Sequence, residues 1–499
     1  MRKSGVLLPV FSLAGPYGIG CFSKEAYEFV DFLSGSGQSF WQILPLGPTS
    51  YGDSPYQSFS TAAGNPYFID LKELIKEGLL KKSECDHSGL KTDDNYINYG
   101  LLYQKRFMLL KKAYGRISPA LRAKVGRFVK KNRDWLPDYA LFMALKDAHG
   151  GASFMKWEDE LRLRRPMAIK AAFKKYADEV AFYEWIQFEF FSQWEKLKKY
   201  ANKFGIRLIG DIPIYVAEDS ADVWAHPELF QMDDDRRPVA VAGCPPDAFS
   251  DDGQLWGNPL YDWKYHKETG YEWWIRRMKN CMQMYDIIRI DHFRGFDEYY
   301  SIDAGAKNAK KGKWKKGPGL ALFRAIKKEL GQTPIIAEDL GFMTDSVRKL
   351  VCDTGFPNMK VLEFAFDGRD ESSPSDKTND YLPFNYDKNC VVYTGTHDNE
   401  TLRGWLDSIS RSEYAEVQDY VDCHVNNKGL LTKKLVRTAL ASSADMCIIP
   451  LQDWLGLSNK ARINTPSTIG ENWKWRMDKN ALNKELSAQM KKLTRLYGR

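Results

Sequence analysis

Residues 286–295 read DIIRIDHFRG: a β-branched apolar run that stops abruptly at charge, with Asp291 at its carboxyl end. The pattern recurs in residues 334–341 (PIIAEDLG), which deliver Glu338, and in residues 391–401 (VVYTGTHDNET), which lead to Asp398. Short runs that are apolar on both faces suit strands buried in a parallel sheet. The three acids are 47 and 60 residues apart. At about 30 residues per βα unit, the first interval holds one unit plus an insertion and the second holds two. The spacing therefore predicts an α/β fold, a (β/α)₈ barrel, with three carboxylates converging on the face where such barrels do chemistry.

Working outward, eight strands are read at residues 5–10, 40–46, 206–214, 286–290, 334–337, 359–366, 390–395 and 446–451. The last four follow at the cadence of βα units and the first four do not. A single catalytic domain over residues 1–499 is expected, with mostly helical and loop-rich insertions on its catalytic face. One, about 50–204, lies between the second and third strands; the other, about 216–284, between the third and fourth. The first has helical apolar spacing at 101–129 and 179–204, including the aromatic run FYEWIQFEFFSQW at 182–194. The second contains AGCPPDAFSDDGQLWGNPLY at 242–261, whose Gly, Pro, Asp and Asn content reads as a flexible loop. Phe249 and Trp256 make that loop a candidate lid over the site.

Composition narrows the function classes. The formal charge of +7 is dispersed, and its densest cluster, KNAKKGKWKK at 307–316, reads as a solvated loop. No reading motif accompanies it, so nucleic acid is not expected as a partner. Eight Cys without a CxxC pair indicate free thiols in a reducing compartment. Seven His without an HxxxH pair argue against a His-built metal site. The apolar stretch after Met1-Arg2-Lys3 is too short for a signal peptide, and no run of about 18 apolar residues predicts a membrane span. Asn399-Glu400-Thr401 is a glycosylation sequon inside the third acidic motif, where a glycan would block the site. A cytoplasmic location is expected. The stretch GPYGIG at 15–20 does not fit GxGxxG, and neither a P-loop nor a GxSxG elbow occurs, which leaves nucleotide binding and serine hydrolysis without support.

Residues i and i+2 of a strand point the same way, so Arg289 should lie beside Asp291 and lower its pKa, keeping the carboxylate ionised as a nucleophile requires. Glu338, at the end of an apolar strand and near a second acid, should have a raised pKa and hold a proton near neutrality. Asp398, next to His397, can bind sugar hydroxyls and stabilise a developing cation. Paired Asp and Glu suit glycosyl transfer by double displacement. A magnesium site of the enolase type, with His397 as base, is the competing reading of the same residues.

Several longer stretches carry a resemblance. They are GDSPYQSFSTAAGNPYFID at 52–70, IGDIPIYVA at 209–217, PPDAFSDDGQLWGNPLY within 244–261, and the three acidic motifs at 289–295, 337–341 and 396–401. Through them the chain resembles the 4-α-glucanotransferase (amylomaltase, or disproportionating enzyme) family of the α-amylase clan over nearly its full length. The resemblance implies a retaining barrel enzyme that cuts an α-1,4-glucan, keeps a covalent glucosyl-enzyme and passes the chain to the 4-hydroxyl of another sugar. By motif match Asp291 is the nucleophile, Glu338 the acid/base and Asp398 the transition-state stabiliser. Arg289 and His397 are their immediate partners and Asp211 is a further substrate-site acid. Tyr51, Asp53, Ser54 and Trp256 match positions lining the glucan groove. The family implies maltooligosaccharide partners, no metal and no dissociable cofactor. An α-amylase-like hydrolase and a glucan-binding scaffold without turnover are the alternatives.

Overall fold

The computed structural model describes all residues except 1, 51, 92–94, 247–250, 342 and 369–377. Eight parallel strands form its centre: β1 (Lys3–Leu7), β2 (Phe40–Gln42), β3 (Arg207–Pro213), β6 (Ile287–Asp291), β9 (Ile335–Ala337), β10 (Asn358–Val361), β11 (Cys390–Tyr393) and β12 (Met446–Pro450). Their order is β10-β11-β12-β1-β2-β3-β6-β9. The Ala337 N–H donates to the Pro357 carbonyl at 3.0 Å, which joins β9 back to β10 and closes the barrel. Each strand sends an apolar side chain inward: Leu7, Phe40, Ile209, Ile287, Ile336, Met359, Val391 and Ile448 fill the interior. The barrel is thus a packed core rather than a pore. On β6, Ile287 lies inside, while Ile288 and Ile290 belong to the outer core against the helices. The period of two then places Arg289 and Asp291 on the inner side, at the carboxyl end.

All eight strands read from sequence are barrel strands, with shorter limits. The run 359–366 is strand only to Val361, then turns into a 3₁₀ helix, Leu362–Ala365. The run 40–46 leaves the ladder after Gln42 and soon reaches Pro45, which has no N–H to donate. Between β2 and β3 the chain is helical. Its longest helix, Ala177–Lys203, buries Phe182, Tyr183, Trp185, Ile186, Phe190 and Trp194. The Trp194 indole donates to the Met284 carbonyl at 3.1 Å, tying this helix to the one that precedes β6. Among the described residues no helix is long and apolar enough to cross a membrane.

A second sheet corrects two loop expectations. Antiparallel strands β4 (Ala240–Cys244), β5 (Gln254–Pro259), β7 (Glu298–Asp303) and β8 (Lys313–Lys316) run in the order β5-β4-β7-β8. Much of the 242–261 stretch is therefore paired strand, and Trp256 stands on β5; Phe249 lies outside the described residues. The end of the basic cluster is likewise an edge strand, whose four residues are all exposed. Pairing with β7 holds it, and Lys316 meets Glu298 at 2.7 Å. Lysines on an exposed edge discourage pairing with another chain.

Candidate functional site

The parallel register brings β3, β6 and β9 side by side, with Asp211 opposite Arg289 and Pro213 opposite Asp291. Asp211 is fully buried and Arg289 is 3% exposed. Nη1 of Arg289 donates to both Asp211 oxygens, at 2.8 and 2.7 Å, and lies 3.0 Å from Oδ1 of Asp291. The side chains of Asp291 and Asp398 keep 29% and 42% exposure, so they face the cleft while the Asp211–Arg289 pair lies beneath. The positive charge between Asp211 and Asp291 is the Arg289 guanidinium itself.

Asp291 departs from expectation in one respect. Arg289 does lower its pKa, but burial outweighs that effect, and Asp211 and Asp398 add repulsion, so the net shift is upward. One guanidinium is shared by two carboxylates, and Asp211 holds it by two hydrogen bonds.

Glu338 is placed by a bend in the chain. His292, directly after Asp291, has φ +54°, a conformation uncommon outside glycine. The bend aims the His292 N–H at Oε2 of Glu338, 2.6 Å away, and the Leu340 N–H donates to Oε1 at 2.7 Å. The Phe293 N–H reaches the Glu338 carbonyl at 3.0 Å, pinning the two strand ends together. Burial raises the Glu338 pKa first and the Asp291 charge second; Arg289 and the two backbone donors oppose them only in part. The guanidinium 3.0 Å from Asp291 favours the ionised form there, so Glu338 is the partner that retains the proton.

The loop after β11 brings His397, 3% exposed, and Asp398 to the same face. Oδ1 of Asp398 accepts from Asn464 Nδ2 at 2.6 Å, and Oδ2 lies 3.3 Å from His397 Nε2. The sequence reading missed Tyr56, which links both sides of the cleft. Its hydroxyl donates to Oδ2 of Asp211 at 2.9 Å and lies 2.8 Å from His397 Nε2. With its one proton given to Asp211, the phenol oxygen must accept from His397, which puts the imidazole proton on Nε2. The Tyr56 ring stacks on His397 at 5.2 Å and 13°, with Trp473 alongside at 5.9 Å.

The other residues expected to line a groove are less central. Trp256 meets the His292 ring edge-on at 4.8 Å. Asp53 (φ +57°) and Ser54 shape the turn that delivers Tyr56: Ser54 Oγ accepts from the Tyr56 N–H at 3.3 Å. Among the described residues neither side chain bonds to the three acids, and Tyr51 lies outside the described residues. His292 was also missed. Burial drives its pKa down to about 3, so it is neutral, and among the described residues its buried Nε2 has no hydrogen-bond partner. Its place next to Asp291, where an apolar strand ends, was the available signal.

Comparison with known proteins identifies the family. A family model described as 4-alpha-glucanotransferase matches residues 8–482. The chain is 47% identical to the 4-alpha-glucanotransferase of Clostridium butyricum, over 98% of this chain and 99% of that one. It is 46% identical to the Streptococcus pneumoniae 4-alpha-glucanotransferase, over 100% and 97%. The amylomaltase of Streptococcus agalactiae, solved in complex with acarbose, superposes with a TM-score of 0.96 at 41% identity, covering 100% of both chains. Family model, full-length relatives and structure converge: the chain belongs to the 4-α-glucanotransferase family, enzymes of glycosyl transfer.

Proposed function

We propose that Asp291, Glu338 and Asp398 carry out retaining transfer of α-1,4-glucan segments between maltooligosaccharides. Asp291 attacks C1 of the donor sugar, the glycosidic C1–O4 bond breaks, and the leaving oxygen takes the proton of Glu338. Glu338, now a carboxylate, removes the proton from an incoming 4-hydroxyl. That oxygen attacks C1 and displaces Asp291, restoring both groups. Asp398 and Arg289 offset the charge that develops at the anomeric centre and on the departing carboxylate. The observation that carries this assignment is the asymmetry of the pair: Asp291 has a guanidinium at 3.0 Å, while Glu338 is held by two backbone N–H groups and has the higher pKa. Environments that push two carboxylates apart in this way separate the acid from the nucleophile. Eight free cysteines support a cytoplasmic location.

Incubation with maltotriose tests the reaction. Glucose together with a ladder of longer chains is the expected result; shorter sugars alone would mean hydrolysis, and an unchanged trimer would mean a binding protein. Tyr56→Phe gives a second check. It removes one donor from Asp211 and one acceptor from His397 but keeps the stacking on His397 and Trp473. A loss of about 1–2 kcal/mol in transition-state stabilisation is expected, read as roughly a tenfold fall in kcat/KM on maltotriose. Parent-like kinetics would detach Tyr56 from the site.

A further inference from the structure

Glu363 is a buried acid that this scheme does not use. It stands in the 3₁₀ turn after β10, between the strand end that carries Glu338 and the one that carries Asp398. It is 2% exposed, its N–H donates to the Thr394 carbonyl at 3.2 Å, and among the described residues its Oε1 has no hydrogen-bond partner. That oxygen lies directly against Gly395: a Cβ there would sit 3.1 Å from it and 3.2 Å from Cβ of Asn399. Glycine lets the 394–399 loop rest on the carboxyl group. Other anchors hold the same loop. Arg462 Nη2 donates to the Asp398 carbonyl at 2.7 Å, its Nε donates to the Asn464 carbonyl at 2.7 Å, and Thr394 Oγ1 donates to Asp453 Oδ2 at 2.5 Å.

We infer that Glu363 is a positioning residue for Asp398: an uncharged carboxyl group that supports the 394–399 loop from beneath and leaves Arg462 to the Asp398 carbonyl. The charged groups acting on it are Asp453 from the helix after β12, Glu400 from the loop after β11, Asp367 beyond its own turn, and Arg462. Burial and the three carboxylates push its pKa well above the usual Glu range, and only Arg462 opposes them. A buried carboxylate without a partner is costly, and the proton removes that cost. An ionised Glu363 would instead compete with the Asp398 carbonyl for the Arg462 guanidinium and loosen the loop.

The inference rests on the reading of Asp398 as transition-state stabiliser, so one arm of its test is independent of turnover. A raised folded-state pKa means that stability is fully present below the unfolded value, about 4.3 for Glu, and is lost as pH climbs toward the folded value. Glu363→Gln does not titrate. Its melting temperature minus that of the parent should therefore rise as pH climbs above about 4.3 and level off once the folded value is passed, and a flat difference would overturn the uncharged state. In the kinetic arm, Glu363→Gln should keep kcat and KM on maltotriose within about threefold. Glu363→Ala should lower kcat roughly tenfold with KM little changed, and should add no further loss in an Asp398→Ala background. A large loss in the Gln variant, or additive losses in the double variant, would overturn the positioning role. A parent that leaves maltotriose unchanged would sink the proposed function instead, and the melting arm would still decide the state of Glu363.

Discussion

Asp291→Asn is expected to lower kcat on maltotriose by at least about 10⁴-fold while leaving folding and glucan binding near those of the parent. The amide is isosteric with the carboxylate but cannot form the covalent link, so the loss falls on the chemical step. Arg289 keeps both Asp211 oxygens at 2.8 and 2.7 Å, and the floor of the site remains in place. Stability should not fall. The folded-state pKa of Asp291 is raised, so the native chain binds more protons than the unfolded chain just above the ordinary Asp value. Stability of the parent therefore declines with pH through that window, and the neutral Asn escapes the decline. Kinetics and a thermal melt at neutral pH check both halves. Parent-like turnover would remove Asp291 from its role; a collapse of the melting temperature would show that the aspartate is a structural ion-pair partner.

How much of this was legible without coordinates follows from what holds each element. The barrel strands are buried on both faces, so they announce themselves as IIRI, PIIA, CVVY and MCII, and all eight could be placed. The four-stranded antiparallel sheet could not. Its edge strand KWKK is wholly exposed and β5 contains Gly257 and Pro259, so backbone pairing carries these strands and leaves little apolar pattern. The three acids were visible because each ends an apolar run, and Arg289 because it shares a face with Asp291. Tyr56 was hidden in a polar Ser- and Pro-rich turn, and its place between Asp211 and His397 depends on contacts 155 and 341 residues apart. Glu363 was hidden because residues 359–366 read as one continuous strand, whereas the 3₁₀ turn that aims its side chain follows from how the barrel end is packed. The sign of the Asp291 shift shows the same limit. A neighbouring Arg can be read from the string, but the burial that outweighs it, and Asp211 sharing that Arg, cannot.

Glu338→Gln should separate substrates by their leaving groups. A natural glucan leaves through an oxygen that needs a proton, so loss of the acid should cost about 10²–10⁴-fold in kcat. An α-glucosyl fluoride departs without protonation and should be spared in the first step. The surrounding geometry should persist, because the amide oxygen of Gln can still accept an N–H bond from His292 or Leu340, whose donors now sit at 2.6 and 2.7 Å. The pH profile provides the second signature. In the parent, kcat/KM should rise as Asp291 ionises and fall as Glu338 loses its proton, with both limbs above the ordinary carboxylate range because burial raises both groups. The limbs belong to the coupled pair, and Glu338 dominates the upper one. Gln cannot lose a proton there, so the descending limb should vanish with the fluoride donor while the ascending limb stays. Equal losses on both donors, or an unchanged alkaline limb, would take the acid role away from Glu338.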